Sequence, residues 1–175
     1  MPQLIQLFRL FVGAPSDATE EHSIIRGLIE EWNRDHGSTT RARVEMAGWR
    51  THSHPAAGDR PQALINKQVV DGSDIIVGLF RYRFGSPTGK AQSGTEEEIR
   101  RGIRQRKKVM VYFADLPEPR RRRERGEFAR VQRFKQKYGD RAIYHTWTDL
   151  SAFEKAFRQH LAAAMNELLA RHPLQ

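Results

Sequence analysis

Residues 69–113, VVDGSDIIVGLFRYRFGSPTGKAQSGTEEEIRRGIRQRKKVMVYF, contain the pattern that decides the fold. The run Ile75 to Phe80 is continuously apolar, as a strand is when helices cover both faces of its sheet. A loop rich in glycine and arginine follows, then a helix whose first turn carries Glu96, Glu97 and Glu98, then a second apolar run from Val109 to Phe113. Strand, helix and strand in this order make a parallel pair joined by a right-handed crossover. Ligands of open parallel sheets bind outside the carboxyl ends of the strands, so a carboxylate is held where chemistry is expected.

The alternation extends in both directions. A strand from about Gln6 to Val12 is stopped by Gly13, Ala14 and Pro15. Asp17 with Glu20 has the spacing of a capping box, and Ile24, Ile25, Leu28, Ile29 and Trp32 form the stripe of an amphipathic helix ending near Gly37. Arg41 to Met46 reads as a second strand, Gly48 to Arg60 as a loop, and Pro61 to Val70 as a short helix closed by Asp71 and Gly72. After Phe113 come a helix over about Glu124 to Tyr138 and a short strand near Ala142 to Thr146. In the last helix Leu150, Phe153, Phe157, Leu161, Ala164 and Leu168 recur at spacings of three and four, with Ser151 and Glu154 placed to cap it. Five such units predict an α/β flavodoxin-like three-layer sandwich: a five-stranded parallel sheet of order 2-1-3-4-5 with helices on both faces, one domain over residues 1–175.

The net charge of +9 is uneven: ten Arg or Lys between Arg120 and Arg141, against Glu124, Glu127 and Asp140, carry +7 of it. Phe128 and Phe134 in that segment fall on the apolar stripe of their helix, so the interleaved aromatics that stack bases are missing. The basic run reads as a solvated face or a protein-partner surface, and nucleic acid is not expected as a direct ligand. A chain without cysteine has no disulfide, no thiolate nucleophile and no cysteine-ligated metal, and suits a reducing compartment. Gln3, Gln6 and Arg9 interrupt the N-terminal apolar run and no stretch approaches ~18 apolar residues, so a cytoplasmic protein without membrane contact is expected. His52 and His54 alternate in a polar loop and no metal is assigned to them. No Ser-His-Asp motif, phosphate-binding P-loop or dinucleotide fingerprint appears.

Several residues at the sheet mouth have the chemistry of a ligand site. With Thr95, Ile99, Gly102 and Ile103 as the buried stripe at about 100° per residue, Glu97 points away from the sheet while Glu96 and Glu98 flank the stripe on opposite sides. Spacing alone leaves these two as candidates, and acidic first turns also serve simply to complement the helix dipole. Gly13 lets backbone approach a ligand, and Ser16 offers a hydroxyl to a phosphate or ribose. Arg81 and Arg83 offer bidentate donors to pyrophosphate, and Tyr82 and Trp49 offer rings to a base or an aromatic leaving group. Turn, cap and packing roles account for these residue types equally well.

The order of elements, SDIIVGLF on the third strand and the Glu-Ile pair opening the next helix resemble the Toll/interleukin-1 receptor (TIR) superfamily. Gly94, Thr95 and Glu98, in G-T-x-x-E spacing, also resemble nucleoside 2-deoxyribosyltransferases, which share a flavodoxin-like core. The resemblance covers about Leu7 to Leu168. Both groups include enzymes that break an N-glycosidic bond with a glutamate of the third helix acting on the ribose; in TIR enzymes the bond joins nicotinamide to ribose in NAD. The family pattern sets the catalytic glutamate directly before an apolar residue and four before a small one, which Glu98 meets with Ile99 and Gly102.

The resemblance thus implies an NAD glycohydrolase or cyclase with Glu98 catalytic, NAD as substrate and no cofactor. It further implies a bacterial immune or signalling effector that assembles as a homo-oligomer or with an activating protein partner. The alternatives are a deoxyribosyltransferase or N-glycosidase using the same glutamate, and a non-catalytic interaction module. Cleavage builds oxocarbenium character on the ribose, which a nearby carboxylate stabilises or captures. Nicotinamide leaves as a neutral base, so ionised glutamate is the required form, and a helix N-terminus favours it.

Overall fold

The computed structural model describes residues 4–48 and 53–174. Strands β1 (Gln6–Gly13), β2 (Ala42–Ala47), β3 (Ile75–Phe80), β4 (Lys108–Ala114) and β5 (His145–Trp147) form one parallel sheet in the order β2-β1-β3-β4-β5. Between and after them lie helices α1 (Thr19–Thr40), α2 (Pro61–Ile65), α3 (Gly94–Arg104), α4 (Arg122–Gly139) and α5 (Leu150–Arg171). A π-helical turn, Asn66–Val70, continues α2. This is the flavodoxin-like order expected from the alternation. Strand order reverses at β1, which has β2 on one side and β3 on the other, and a crevice opens outside the carboxyl ends there.

Strand alternation divides the core into layers. Leu10, Val12, Ile75, Val77 and Leu79 face α1 and α5, meeting Ile25, Leu28 and Ile29 of the first and Phe153, Phe157 and Leu161 of the second. On the other face Phe11 and Ile76 lie under Val69 and Val70, while Phe80, Phe113, Ile99 and Val131 fill the space between β3, β4, α3 and α4. Every residue of β3 is buried, which is why its sequence lacks alternation.

Helix α3 lies unusually near the sheet because both surfaces are bare where they meet. A Cβ added at Gly78 of β3 would stand 2.5 Å from Ile99 Cδ1, and one at Gly102 would stand 2.9 Å from Ile76 Cγ1 and 3.0 Å from Val109 Cγ2. The two glycines draw the first turn of α3 inward with its carboxylates.

Helix ends differ from the expected ones for local reasons. Helix α1 runs past Gly37 to Thr40 and stops where Arg41 adopts a left-handed conformation, φ 52°, with its N–H donated to the Gly37 carbonyl. Asp17 does not cap α1. Its Oδ2 accepts from the backbone N–H groups of Tyr82 and Arg83, each at 3.0 Å, so the carboxylate joins two loops instead. Asp149, not Ser151, caps α5, accepting from the Ala152 N–H at 2.8 Å.

Replacing Gly78 with alanine is expected to lower unfolding stability by ~1–3 kcal/mol through overpacking against Ile99. Adding Ile99→Val removes the nearest methyl and should recover part of that loss, a non-additivity read by urea denaturation of the two single variants and the double variant.

Candidate active site

Ser93 opens α3, its hydroxyl accepting from the Glu96 N–H at 3.1 Å. The three glutamates that follow are all buried, Glu96 at 3%, Glu97 at 6% and Glu98 at 8% exposure. Removing three adjacent carboxylates from water is unfavourable unless each finds compensation; two find an arginine and the third does not.

Glu97 does not point into solvent as helix phase predicts, because the chain at Arg60 and Thr88 folds over it. Arg60 grips it bidentately, Nη2 to Oε1 at 2.6 Å and Nη1 to Oε2 at 2.9 Å. Asn66 Nδ2 donates to Oε1 at 3.0 Å, and the Thr88 hydroxyl donates to Oε2. Burial pushes this carboxyl up, but Arg60 and Thr88 outweigh it and hold the group below the usual carboxylate range. Glu96 turns to the opposite flank, where it pairs with Arg100 at 2.5 Å and accepts from the Gln92 N–H at 2.8 Å.

Glu98 turns toward β1. A Cβ added at Gly13 would lie 2.2 Å from its Oε2, so the backbone of the first strand's end sits directly against the carboxyl. Its Oε1 accepts from Gln62 Nε2 at 3.0 Å, and the same amide nitrogen donates to Asn66 Oδ1 at 3.1 Å. No cation pairs with Glu98 among the described residues. Burial therefore dominates; the Gln62 bond relieves it in part, the charge on Glu97 adds to it, and the carboxyl is pushed up to about 8. Against the expectation of an ionised group at a helix N-terminus, lost hydration outweighs what the helix dipole returns and favours the protonated form of Glu98 in the free protein.

This carboxyl lines a cleft of about 990 Å³ at the carboxyl ends of β1 and β2. Gly13, Ala14 and Ser16 form one rim, His22 and Arg26 of α1 a wall, and Gln62, Thr95 and Glu98 the opposite side. A cleft of that size holds a ligand as large as a dinucleotide. Burial, with help from neighbouring Arg26, lowers the His22 pKa, so a neutral imidazole faces the cleft at neutral pH.

The structure brings Gly13, Ser16 and Glu98 together, as the sequence suggests, but not the whole candidate set. Arg81 is turned away, its Nη1 2.6 Å from the fully buried Glu21 of α1. The Tyr82 ring rests on Phe128, 5.8 Å between centroids. Arg83 reaches the rim indirectly, its Nη1 donating to Ser16 Oγ at 2.7 Å. Trp49 and His52 lie outside the described residues, and the His54 N–H is donated to Gln68 Oε1 at 2.9 Å. Sequence reasoning missed His22, Arg26, Gln62 and Arg60. The first two sit four apart on the flank of the α1 stripe, a legible signal; the last two come from the start of a short helix and the aperiodic loop before it, where nothing marks them.

A family model described as a domain of unknown function (DUF4062) matches residues 22–162. No curated protein matches the chain. Among solved structures, the TIR domains of the activated Roq1 resistosome that recognises the pathogen effector XopQ are 14% identical, covering 90% of this chain and 99% of that one at a TM-score of 0.47. Oxidised flavodoxin 1 from Bacillus cereus is 14% identical, covering 92% and 97% at 0.45. The homoserine dehydrogenase of S. aureus is 13% identical at 0.39 over 83% of this chain, which spans about a third (32%) of that enzyme's length.

A carboxyl raised from 4.5 when unfolded to about 8 when folded binds an extra proton in the native state across that interval. Its stabilising contribution is complete below pH 4.5 and is lost as pH rises through about 8. Stability measured by denaturant midpoint should thus fall between about pH 4.5 and 8 and level off above that, and Glu98→Gln, a neutral isostere, should flatten that fall and equal or exceed the parent above pH 8.

Proposed function

The chain belongs to the DUF4062 family, and from the geometry of its buried glutamate we propose that it is an N-glycosidic-bond-cleaving enzyme acting on NAD. The observation that carries this reading is Glu98: a carboxyl without a cationic partner among the described residues, set in a dinucleotide-sized cleft at the ends of β1 and β2. A buried carboxyl of this kind is arranged to meet a positive charge that arrives with the substrate. The nicotinamide ring of NAD brings one.

When the bond from the ribose C1′ to the ring nitrogen breaks, its electron pair leaves with nicotinamide and the positive charge passes to C1′ and the ring oxygen of the ribose. Ionised Glu98 stabilises that charge. Water adds to C1′ and releases one proton, giving ADP-ribose. Substrate binding itself favours loss of the Glu98 proton, since the cationic ring replaces the missing hydration. Ser16 and Arg26 are the assigned partners of the ribose and pyrophosphate oxygens, and the resemblance to TIR enzymes supports an assembling effector.

A second reading rests on the proton that Glu98 holds at neutral pH. Purine and pyrimidine bases leave a neutral nucleoside as anions unless protonated, and a carboxylic acid beside the bond supplies that proton. A nucleoside N-glycosidase or deoxyribosyltransferase uses the same residue this way. Release of base from deoxynucleosides, with NAD untouched, would select it.

Concentrated protein incubated with NAD should release nicotinamide, measured by chromatography, and Glu98→Gln should slow release by about 10²–10⁴-fold with the fold retained. Because the ionised form acts, kcat/KM should climb with pH up to about 8 and then level, while kcat should level at lower pH because bound nicotinamide stabilises the carboxylate. Glu97→Gln should weaken stability rather than chemistry, by releasing Arg60. Absence of nicotinamide release from both dilute and artificially assembled protein rejects the NAD reading.

A further inference from the structure

The opposite flank of α3 carries a second concavity. A groove of about 560 Å³ runs between the loop at residues 84–92 and helix α4, lined by Lys90, Arg100, Arg130, Arg133 and Lys137 with Glu96 as the one carboxylate on its wall. The cations differ in what they already hold. Arg100 pairs with Glu96 at 2.5 Å, and Glu96 also accepts from the Gln92 N–H. Arg130 pairs with Glu127 at 2.6 Å, donates to the Gly85 carbonyl at 2.9 Å and to the Gln92 carbonyl, and lies over the Phe84 ring. Glu127 is further satisfied by the N–H groups of Phe84 and Gly85 at 2.9 and 3.0 Å.

Both nearby carboxylates are therefore matched, and Arg130 acts as a brace that fixes the loop to α4. Exposed Arg133 and Lys137 have no carboxylate partner among the described residues, and Lys90 lines the loop side of the same groove, its charge also acting on Glu97. Arg133 and Lys137 stand four apart on α4, about 5–6 Å between Cβ atoms, a separation that suits neighbouring phosphates. Concave walls and one sign of unmatched charge focus an anion there.

We propose that this groove binds a small oligophosphate anion, such as a nucleoside di- or triphosphate, with Arg133, Lys137 and Lys90 as its phosphate donors. The volume matches a small molecule, and nucleic acid has no stacking platform here: Phe84 is 3% exposed and covered by Arg130. The site is separate from Glu98 and independent of the reaction proposed for it.

Isothermal titration at low salt with sodium tripolyphosphate, ADP, adenosine and a single-stranded oligodeoxynucleotide tests it. Tripolyphosphate is expected to bind one per chain and ADP to displace it; ADP binding tighter than tripolyphosphate that is lost on substitution of Arg133 and Lys137 assigns a nucleotide, equal binding a bare polyphosphate, and ADP or adenosine binding that survives those substitutions belongs to the Glu98 cleft. The pair Arg133→Glu and Lys137→Glu should weaken binding by about tenfold or more, since two charge-assisted contacts are removed. Arg133→Gln with Lys137→Gln, which adds no repulsion, should weaken it several-fold if the reversed pair folds poorly. Charge reversal at Arg121 and Arg122, at the start of α4, should leave affinity within about twofold, because those side chains are outside the groove. No binding by tripolyphosphate or ADP, equal loss from the Arg121 and Arg122 reversal, or binding of the oligonucleotide alone overturns the proposal.

Discussion

Three successive glutamates enter the protein interior on one turn of a helix, and most of the surrounding architecture answers that constraint. Such burial is tolerable only if each charge is paired, hydrogen-bonded or removed. Glu96 and Glu97 are paired, and the pairing needs chain brought in from elsewhere: Arg60 from the loop before α2, Thr88 and Gln92 from the loop after β3. The long connection after β3 thereby acquires its shape. It is pinned at one end by Asp17 and Glu21 of the first strand-helix unit, and at the other by Arg130 of α4.

With two of the three charges neutralised by arginine, the third is removed by protonation. The contrast depends on depth and partners together: Glu98 is desolvated with no cation beside it, whereas the Arg60 and Thr88 bonds outweigh burial at Glu97, so one is held below and the other far above the usual range. Gln62 and Asn66 connect the two carboxyls through amides, which transmit orientation but no charge. One helical turn thus contains a permanent anion, used to fasten loops, beside a group free to change its protonation.

The parallel sheet and its layers were legible because they follow from alternation: an all-apolar Ile75 to Phe80, and stripes such as Phe153, Phe157 and Leu161. The strand order, by contrast, was a choice among doubly wound arrangements that the structure bears out. Glu98 and Gly13 were legible as residues of the mouth, since strand ends converge there in any such sheet. What helix phase failed to give was Glu97, whose exposure depends on Arg60, a residue 37 positions away with no periodic signal. Arg81 failed differently. Its type suits a pyrophosphate, but the buried Glu21 of α1 claims it, and the need for that ion pair is invisible until the two loops are adjacent. Asp17 likewise has capping spacing, yet two backbone N–H groups from across the crevice compete successfully for it.

The contact between Gly13 and Glu98 has a corollary. At 2.2 Å from Oε2, even a methyl group at position 13 is incompatible with the carboxyl where it stands. The two positions are therefore coupled: any side chain at 13 obliges the Glu98 carboxyl to swing away from the end of β1, so it keeps this placement only beside glycine. The bare strand end thus sets where the proton-bearing oxygen stands, and Gly13→Ala should displace it while leaving the sheet intact.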